Sequence, residues 1–286
     1  MSPVSVLGLP GELLSSPYTQ YVIPITIAAV CWVNMKVIPG FWHIRLFKGI
    51  ITQSLRQRKI DTSKSRVMSI SEDSPYIFSY LVTTHHNPPL ECDYNMHKSN
   101  STFFSDLDIN RAQLLGRLFG GFPRKPSESG KGTEKTLNVA LGGVSCVFKR
   151  EIKPFQRYEI WSRVLAWDHK WLYMVSYFVV AGTGEKVIRS LHTESGKPSG
   201  VDFSKAVLAS SLSRYVFKDG RMTISPADVL GYNGLISEPE GAENESVFTQ
   251  QQQKGLEVAR LFHGLDTLPT QFEPVPSSVL GIYADL

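Results

Sequence analysis

The sequence predicts an α+β fold, on one long helix pattern, a run of strand signals after it, and hairpin turns joining those strands. The helix runs from Ser101 to about Phe119, with Phe103, Phe104, Leu107, Leu114, Leu115 and Leu118 at a 3.6-residue period. Gly120-Gly121 and then Pro123 end it, since glycine takes the left-handed cap and proline cannot continue a helix. Strand signals follow at 137–149, 158–167, 171–181 and 186–193. Trp167-Asp168-His169-Lys170-Trp171 is a tight hairpin, which makes Asp168 a turn residue, and Ala181-Gly182-Thr183-Gly184 is the turn before the fourth strand. Consecutive hairpins give an antiparallel sheet, and such a sheet with one helix is α+β.

The remaining segments are read in order. From Leu13 to Met35 there are 23 residues without a charge. About 20 suffice to cross a bilayer, although Pro24 and several polar residues make this span marginal. No Lys or Arg precedes it, so it is not a cleaved signal peptide. Residues 36–66 carry eight bases (Lys36, Arg45, Lys48, Arg56, Arg58, Lys59, Lys64, Arg66) against the single acid Asp61. A basic flank after an apolar segment points to a membrane surface, with the N-terminus luminal and the rest of the chain cytosolic, for instance at the endoplasmic reticulum. The alternatives are a cytoplasmic protein with this segment buried, or an interfacial helix over 38–51. Nucleic acid is not expected as a partner, because no binding module accompanies the bases.

Residues 60–75 read as a polar linker and Tyr76–Thr84 as the first strand. His85-His86 are read as solvent-facing or turn histidines, since neighbours on a strand point apart and no third ligand is near. Residues 122–135 form a loop. His192 falls in the fourth strand, as core or site. Ser204–Ser213 is read as a short helix, 231–247 as loop, and Gln250–Leu265 as a helix. Cys31, Cys92 and Cys146 are an odd number at unrelated spacings, which excludes a disulfide framework or a thiolate zinc site and suits a reducing compartment.

The chemistry concentrates in Asp93-x-Asn95-x-His97, followed by Ser99-Asn100-Ser101-Thr102 and Phe103. Pro88-Pro89 hold the approach extended, and Ser99, Asn100 or Ser101 caps the helix. A carboxylate, a carboxamide and an imidazole ahead of a helix N-terminus sit where free N–H groups can bind a developing oxyanion. Cys92 is a small residue pointing away from Asp93 on an extended chain. On spacing alone, a polar loop capping the helix is the competing reading.

The motif Asp93-x-Asn95-x-His97-x-x-Asn100 with Phe103 resembles the signature of hotdog-fold acyl-thioesterases, both the plant acyl-carrier-protein type and the 4-hydroxybenzoyl-CoA thioesterase group. A second match, Lys153-Pro154-Phe155-Gln156-Arg157-Tyr158-Glu159-Ile160 with Trp167-Asp168 and Leu172-Tyr173, is similar to the membrane-associated thioesterase-like proteins of animals and fungi. The fungal ones include thioesterases encoded beside polyketide and peptide synthases. Together the matches cover 76–195. Lys98-Ser99 stands where the family carries an apolar-Asn pair, and Glu91 where many relatives carry Asp.

The resemblance implies a hotdog domain over 71–200, a hydrophobic and basic N-terminal segment over 1–70, and an extension over 201–286. It implies hydrolysis of an acyl or polyketide thioester on coenzyme A or a carrier protein, by a homodimer or higher oligomer, with no cofactor and no metal. Asp93 is then general base or nucleophile, Asn95 and His97 its partners, and Asn100, Ser101, Thr102 and Phe103 the oxyanion and substrate side. A non-hydrolytic acyl-binding or scaffold protein at a membrane is the alternative.

Overall fold

The computed structural model describes residues 17–61, 76–127, 134–191, 203–236 and 242–271. Two helices come first, α1 (Pro17–Val33) and α2 (Phe41–Asp61), and then strand β1 (Leu81–His86) and the long helix α3 (Asn100–Phe119). Four elements build the sheet onto β1: β2 (Asn138–Phe148), β3 (Arg157–Trp167), β4 (Leu172–Val180) and, after helix α4 (Thr183–Leu191), β5 (Val207–Asp219). Helices α5 (Pro226–Tyr232) and α6 (Ala242–Arg260) follow.

The sheet is antiparallel throughout, in the order β1-β3-β4-β5-β2. This is the hotdog arrangement: the first two strands lie at opposite edges and the last three fill the middle. Helix α3 packs on one face. Its Phe103 and Leu107 meet Tyr158, Ile160 and Phe178, and its Leu114, Leu118 and Phe119 meet Val164, Leu172, Met174 and Phe217. A fully buried side chain of this size contributes about 1.5–3 kcal/mol, so this seam is the principal apolar term. The other face is covered by α6, whose Leu256 and Ala259 pack on Leu165, Tyr173 and Val175. With both faces covered, β3 and β4 carry nearly continuous apolar runs rather than strict alternation.

Several expectations are corrected. The first strand begins at Leu81, after a 3-10 turn at Tyr76–Phe78. Residues 124–126 pair antiparallel with 134–136, where 122–135 was read as loop. The fourth predicted strand is helix α4, because the Glu159 carboxylate accepts from Gly182 N and Gly184 N at 2.7 and 2.8 Å and caps a helix start there; residues 192 and 193, His192 among them, lie outside the described residues. The predicted helix over 204–213 is one helical turn at Phe203–Ala206 and then strand β5. Its Ala209, Ser211 and Ser213 are weak strand formers, held by ladders to β2 on one side and β4 on the other. Residues 231–232, the end of α5, and 242–247, the start of α6, are helical where 231–247 was read as loop.

Helix α1 is exposed along 20–33, so it is not a buried core helix. Among the described residues no helix is long and apolar enough to cross a membrane. Helix α2 packs on α3, where Gly49 faces Gln113 and Gly116 approaches the Ile50 backbone. Its outer side presents Ile44, Phe47, Ile51 and Leu55, each more than half exposed.

Candidate active site

Residues 91–99 form a small hairpin directly before α3. Cys92 and Lys98 make an antiparallel bridge, Ser99 N donates to Glu91 O at 2.8 Å, and Asp93 N donates to His97 O at 2.9 Å. Asp93 Oδ1 accepts from Asn95 N at 2.9 Å, and Met96 turns the chain at φ 58°. This tight turn brings Asp93 Oδ2 and His97 Nδ1 to 3.5 Å, both side chains about one-quarter exposed. The carboxylate and imidazole are therefore adjacent, accessible and held by backbone hydrogen bonds. Asn95 is exposed beside them and contributes its backbone N–H to the turn. Cys92 Sγ is turned toward Asn87 Nδ2 at 3.3 Å and the Pro88 carbonyl, as its place on the extended stem predicts.

The helix begins at Asn100 with Ser99 as N-cap, but no side chain makes the capping bond. Ser99 Oγ and Ser101 Oγ lie 3.0 Å apart, and Thr102 donates to Ser99 O through both its N–H and its hydroxyl. A helix start without a side-chain cap keeps first-turn N–H groups available to an anion. Asn100 and Ser101 are exposed, Thr102 is half-buried, and Phe103 is a core residue, 4.7 Å from Phe178 ring to ring.

Beneath this hairpin lies a buried ionic cluster that sequence patterning did not disclose. Asp106, fully buried, accepts from Lys36 Nζ at 2.8 Å and Arg45 Nη2 at 3.0 Å, from the Tyr158 hydroxyl, and lies 3.0 Å from Lys98 Nζ. Glu91 Oε2 receives Lys36 Nζ at 2.8 Å and Lys98 Nζ at 2.5 Å. His85 Nδ1 stands 3.6 Å from Asp106 Oδ1, and its Nε2 is 2.7 Å from Thr83 Oγ1.

Burial alone would raise the Asp106 carboxyl, but Lys36, the His85 hydrogen bond and Lys98 hold it well below its ordinary range. Burial lowers Lys36 and His85, whose charged forms lose water, and it pushes Tyr158 upward, with Asp106 adding to that shift. His85 is thus a buried member of this cluster and not a solvent-facing residue. Asp106 and Arg111, charged residues of α3, are both buried. One sequence signal pointed here: Asp106 and Asn110 lie on the same helical face as Phe103, Leu107 and Leu114.

A cavity of about 290 Å³ opens beside the C-terminal half of α3, lined by Gln53, Arg56, Tyr76, Tyr80, Leu114 and Arg117 among others. None of the expected site residues lines it. Among the described residues no three His, Cys, Asp or Glu side chains converge as a metal-binding set.

A profile of the Thioesterase-like superfamily matches residues 88–210, which span the Asp93 hairpin, α3 and most of the sheet. The chain is 45% identical to a probable thioesterase, atnL, of Emericella nidulans over 281 residues, 88% of this chain and 89% of the relative. It is 42% identical to the thioesterase poxG of Penicillium oxalicum over 270 residues, 87% of each chain. The protein belongs to the thioesterase-like superfamily. It is a thioester hydrolase of the hotdog fold. Among solved structures, an acyl-CoA hydrolase mutant from Staphylococcus aureus covers 68% of this chain and 94% of its own, at 9% identity and a TM-score of 0.38. The profile starts at residue 88, so α1, α2 and β1 lie before the matched region, and with them Lys36, Arg45 and His85.

Proposed function

We propose that this thioesterase releases an acyl or polyketide chain from a thioester on coenzyme A or a carrier-protein pantetheine arm, with Asp93 as the reacting carboxylate. The observation that carries this reading is the Asp93–His97 pair, 3.5 Å apart, accessible, and placed one turn ahead of an uncapped helix start. Asp93 acts by one of two routes. As base it takes a proton from water while the water oxygen attacks the thioester carbonyl. As nucleophile its own oxygen attacks and forms a mixed anhydride, which water then opens. In both, the tetrahedral oxyanion faces the N–H groups of Asn100 and Ser101, the C–S bond breaks, and the thiolate leaves without needing a strong acid. His97 holds the carboxylate or shares its proton, and Asn95 orients the carbonyl or the water. Similarity to the fungal thioesterases atnL and poxG supports a substrate from secondary metabolism.

The assay is hydrolysis of acyl-CoA and acyl-pantetheine thioesters by the full chain, wild type beside Asp93→Asn and His97→Ala. Asp93→Asn loses about a hundredfold or more in rate, equivalent to about 2.7 kcal/mol of barrier. Wild type no faster than Asp93→Asn on every thioester would sink this reading and favour a non-hydrolytic acyl-binding protein. A single turnover in ¹⁸O-water that leaves label in Asp93 establishes the nucleophile route, with water opening the anhydride at the Asp93 carboxyl carbon.

Two assembly features complete the proposal. The free edge of β2 exposes Leu141, Val147 and Phe148, which suits pairing with a second copy. The exposed apolar helix α1 and the α2 stripe of Ile44, Phe47, Ile51 and Leu55, with Lys48 beside it, suit an anionic membrane surface facing the cytosol. Co-sedimentation with vesicles containing phosphatidylserine tests the latter: Phe47→Glu/Ile51→Glu releases the protein, and equal binding by the variant refutes it.

A further inference from the structure

The turn between α1 and α2 lies some fifty residues before the family match begins, yet two of its side chains end beneath the Asp93 hairpin. Asn34 is buried, and its Oδ1 accepts from Leu90 N at 2.9 Å while its Nδ2 donates to Val30 O at 2.9 Å. Lys36, with 5% of its side chain exposed, donates to Glu91 Oε2 at 2.8 Å, Asp106 Oδ2 at 2.8 Å and His86 O at 3.1 Å. We propose that Asn34 and Lys36 are positioning residues for the thioesterase site, setting how the Asp93 hairpin sits against the start of α3. This rests on Asp93 being the reacting carboxylate.

The argument is geometric. A two-stranded hairpin this short has no core of its own and is at best marginally stable alone. Its stem residues Glu91 and Lys98 point inward and enter a closed ring of alternating charge, Glu91–Lys36–Asp106–Lys98, with consecutive contacts of 2.8, 2.8, 3.0 and 2.5 Å. The ring joins three parts of the chain: the hairpin through Glu91 and Lys98, helix α3 through Asp106, and the N-terminal turn through Lys36. Asn34 fixes the residue next to Glu91 on the same stem. With Lys36 removed the ring opens, leaving Lys98 Nζ to Asp106 and the longer Thr102 hydroxyl contact to Glu91 O at 3.4 Å between hairpin and helix, and the hairpin gains freedom to tilt.

Lys36 also faces four acceptors, the Tyr158 hydroxyl at 3.2 Å being the fourth. That exhausts its three N–H donors, so none is left for a substrate. Its action is therefore on geometry, and a misplacement of about 1 Å at a reacting group costs on the order of a hundredfold in rate.

The test is steady-state kinetics of the full chain carrying Lys36→Met or Asn34→Ala, with Arg214→Gln as control. Arg214 pairs with Asp266 beside Trp171 and Phe262, apart from the hairpin. Lys36→Met is expected to lower kcat by about ten- to a hundredfold, and Asn34→Ala by about three- to tenfold, each with KM within about threefold of wild type. Arg214→Gln lowers the thermal midpoint and leaves kcat unchanged, which separates positioning from general destabilisation. The proposal is overturned when both variants keep kcat within about twofold, or lose it only in proportion to the fraction unfolded at the assay temperature. Should Lys36→Met fail to fold by circular dichroism, Asn34→Ala, which removes one hydrogen bond to the stem, decides alone. An inactive Asp93→Asn beside fully active Lys36→Met and Asn34→Ala removes this inference only. A fully active Asp93→Asn removes the site reading itself.

Discussion

Lys98 Nζ lies 2.5 Å from Glu91 Oε2 across the stem of the Asp93 hairpin, and neither side chain is more than 3% exposed. Both stand where the motif departs from the thioesterase pattern, and these two departures meet. A lysine in place of an apolar residue puts an ammonium beneath the hairpin, and that is tolerable only with carboxylates around it. Glu91 supplies one and Asp106 the other.

Breaking that pair from one side is expected to cost about 3–5 kcal/mol, because the remaining charge stays buried with fewer partners. Lys98→Met and Glu91→Gln each show this in urea unfolding. The double variant is less destabilised than the sum of the two, since neither charge is then stranded. Additive losses would show that the contact contributes nothing of its own.

Stability is expected to fall in two stages on acidification. The His85 pKa is lowered by burial below its ordinary 6.5, so the unfolded chain takes up this proton first; the contribution is whole above that value and drains away as pH falls toward the folded value. Asp106 is held below its ordinary 3.8, with Lys36 the foremost of the groups that outweigh burial, so its contribution is present above about pH 4 and is lost as pH falls through the folded pKa. Thermal midpoints between pH 8 and 3 should decline below about 6.5 and again below about 4. His85→Gln shrinks the first decline, to which His86, also lowered by burial, still contributes, and leaves the second; an unchanged profile in that variant would clear His85 of the role.

Gly255→Ala is expected to destabilise although alanine is the better helix former by about 1 kcal/mol. A Cβ on Gly255 would stand 2.2 Å from the Leu165 carbonyl oxygen and 2.9 Å from Ala166 Cβ, so α6 has to lift from β3. The cost is about 1–3 kcal/mol of overpacking, read as faster proteolysis within 242–271. A gain in stability would mean that α6 is free to shift.

Much of the fold was legible in the residues. Helix α3 announces itself through the spacing of Phe103, Leu107, Leu114 and Leu118, and β3 and β4 through aromatic and β-branched runs closed by the Asp168 turn, whose Oδ1 accepts from Lys170 N and Trp171 N. Strand β5 was not legible, because Ala209, Ser211 and Ser213 suit a strand only between two neighbours that already exist. Helix α4 was misread for a related reason: its cap is Glu159, 23 residues upstream of Gly182. Local propensity yields where the deciding partner is distant in the chain.

The site divides the same way. From sequence alone came Asp93-x-Asn95-x-His97 as a candidate ahead of a helix, and Asp93 and His97, four residues apart, meet through a local turn to which Asn95 gives its backbone N–H. Only the tertiary structure revealed what lies beneath them: Lys36 and Asp106 stand 70 residues apart in sequence and 2.8 Å apart in space. Buried ion pairs have no period and no spacing rule. They are made by packing α2 on α3, and the desolvation of each charge is offset only once its partners from elsewhere in the chain have arrived.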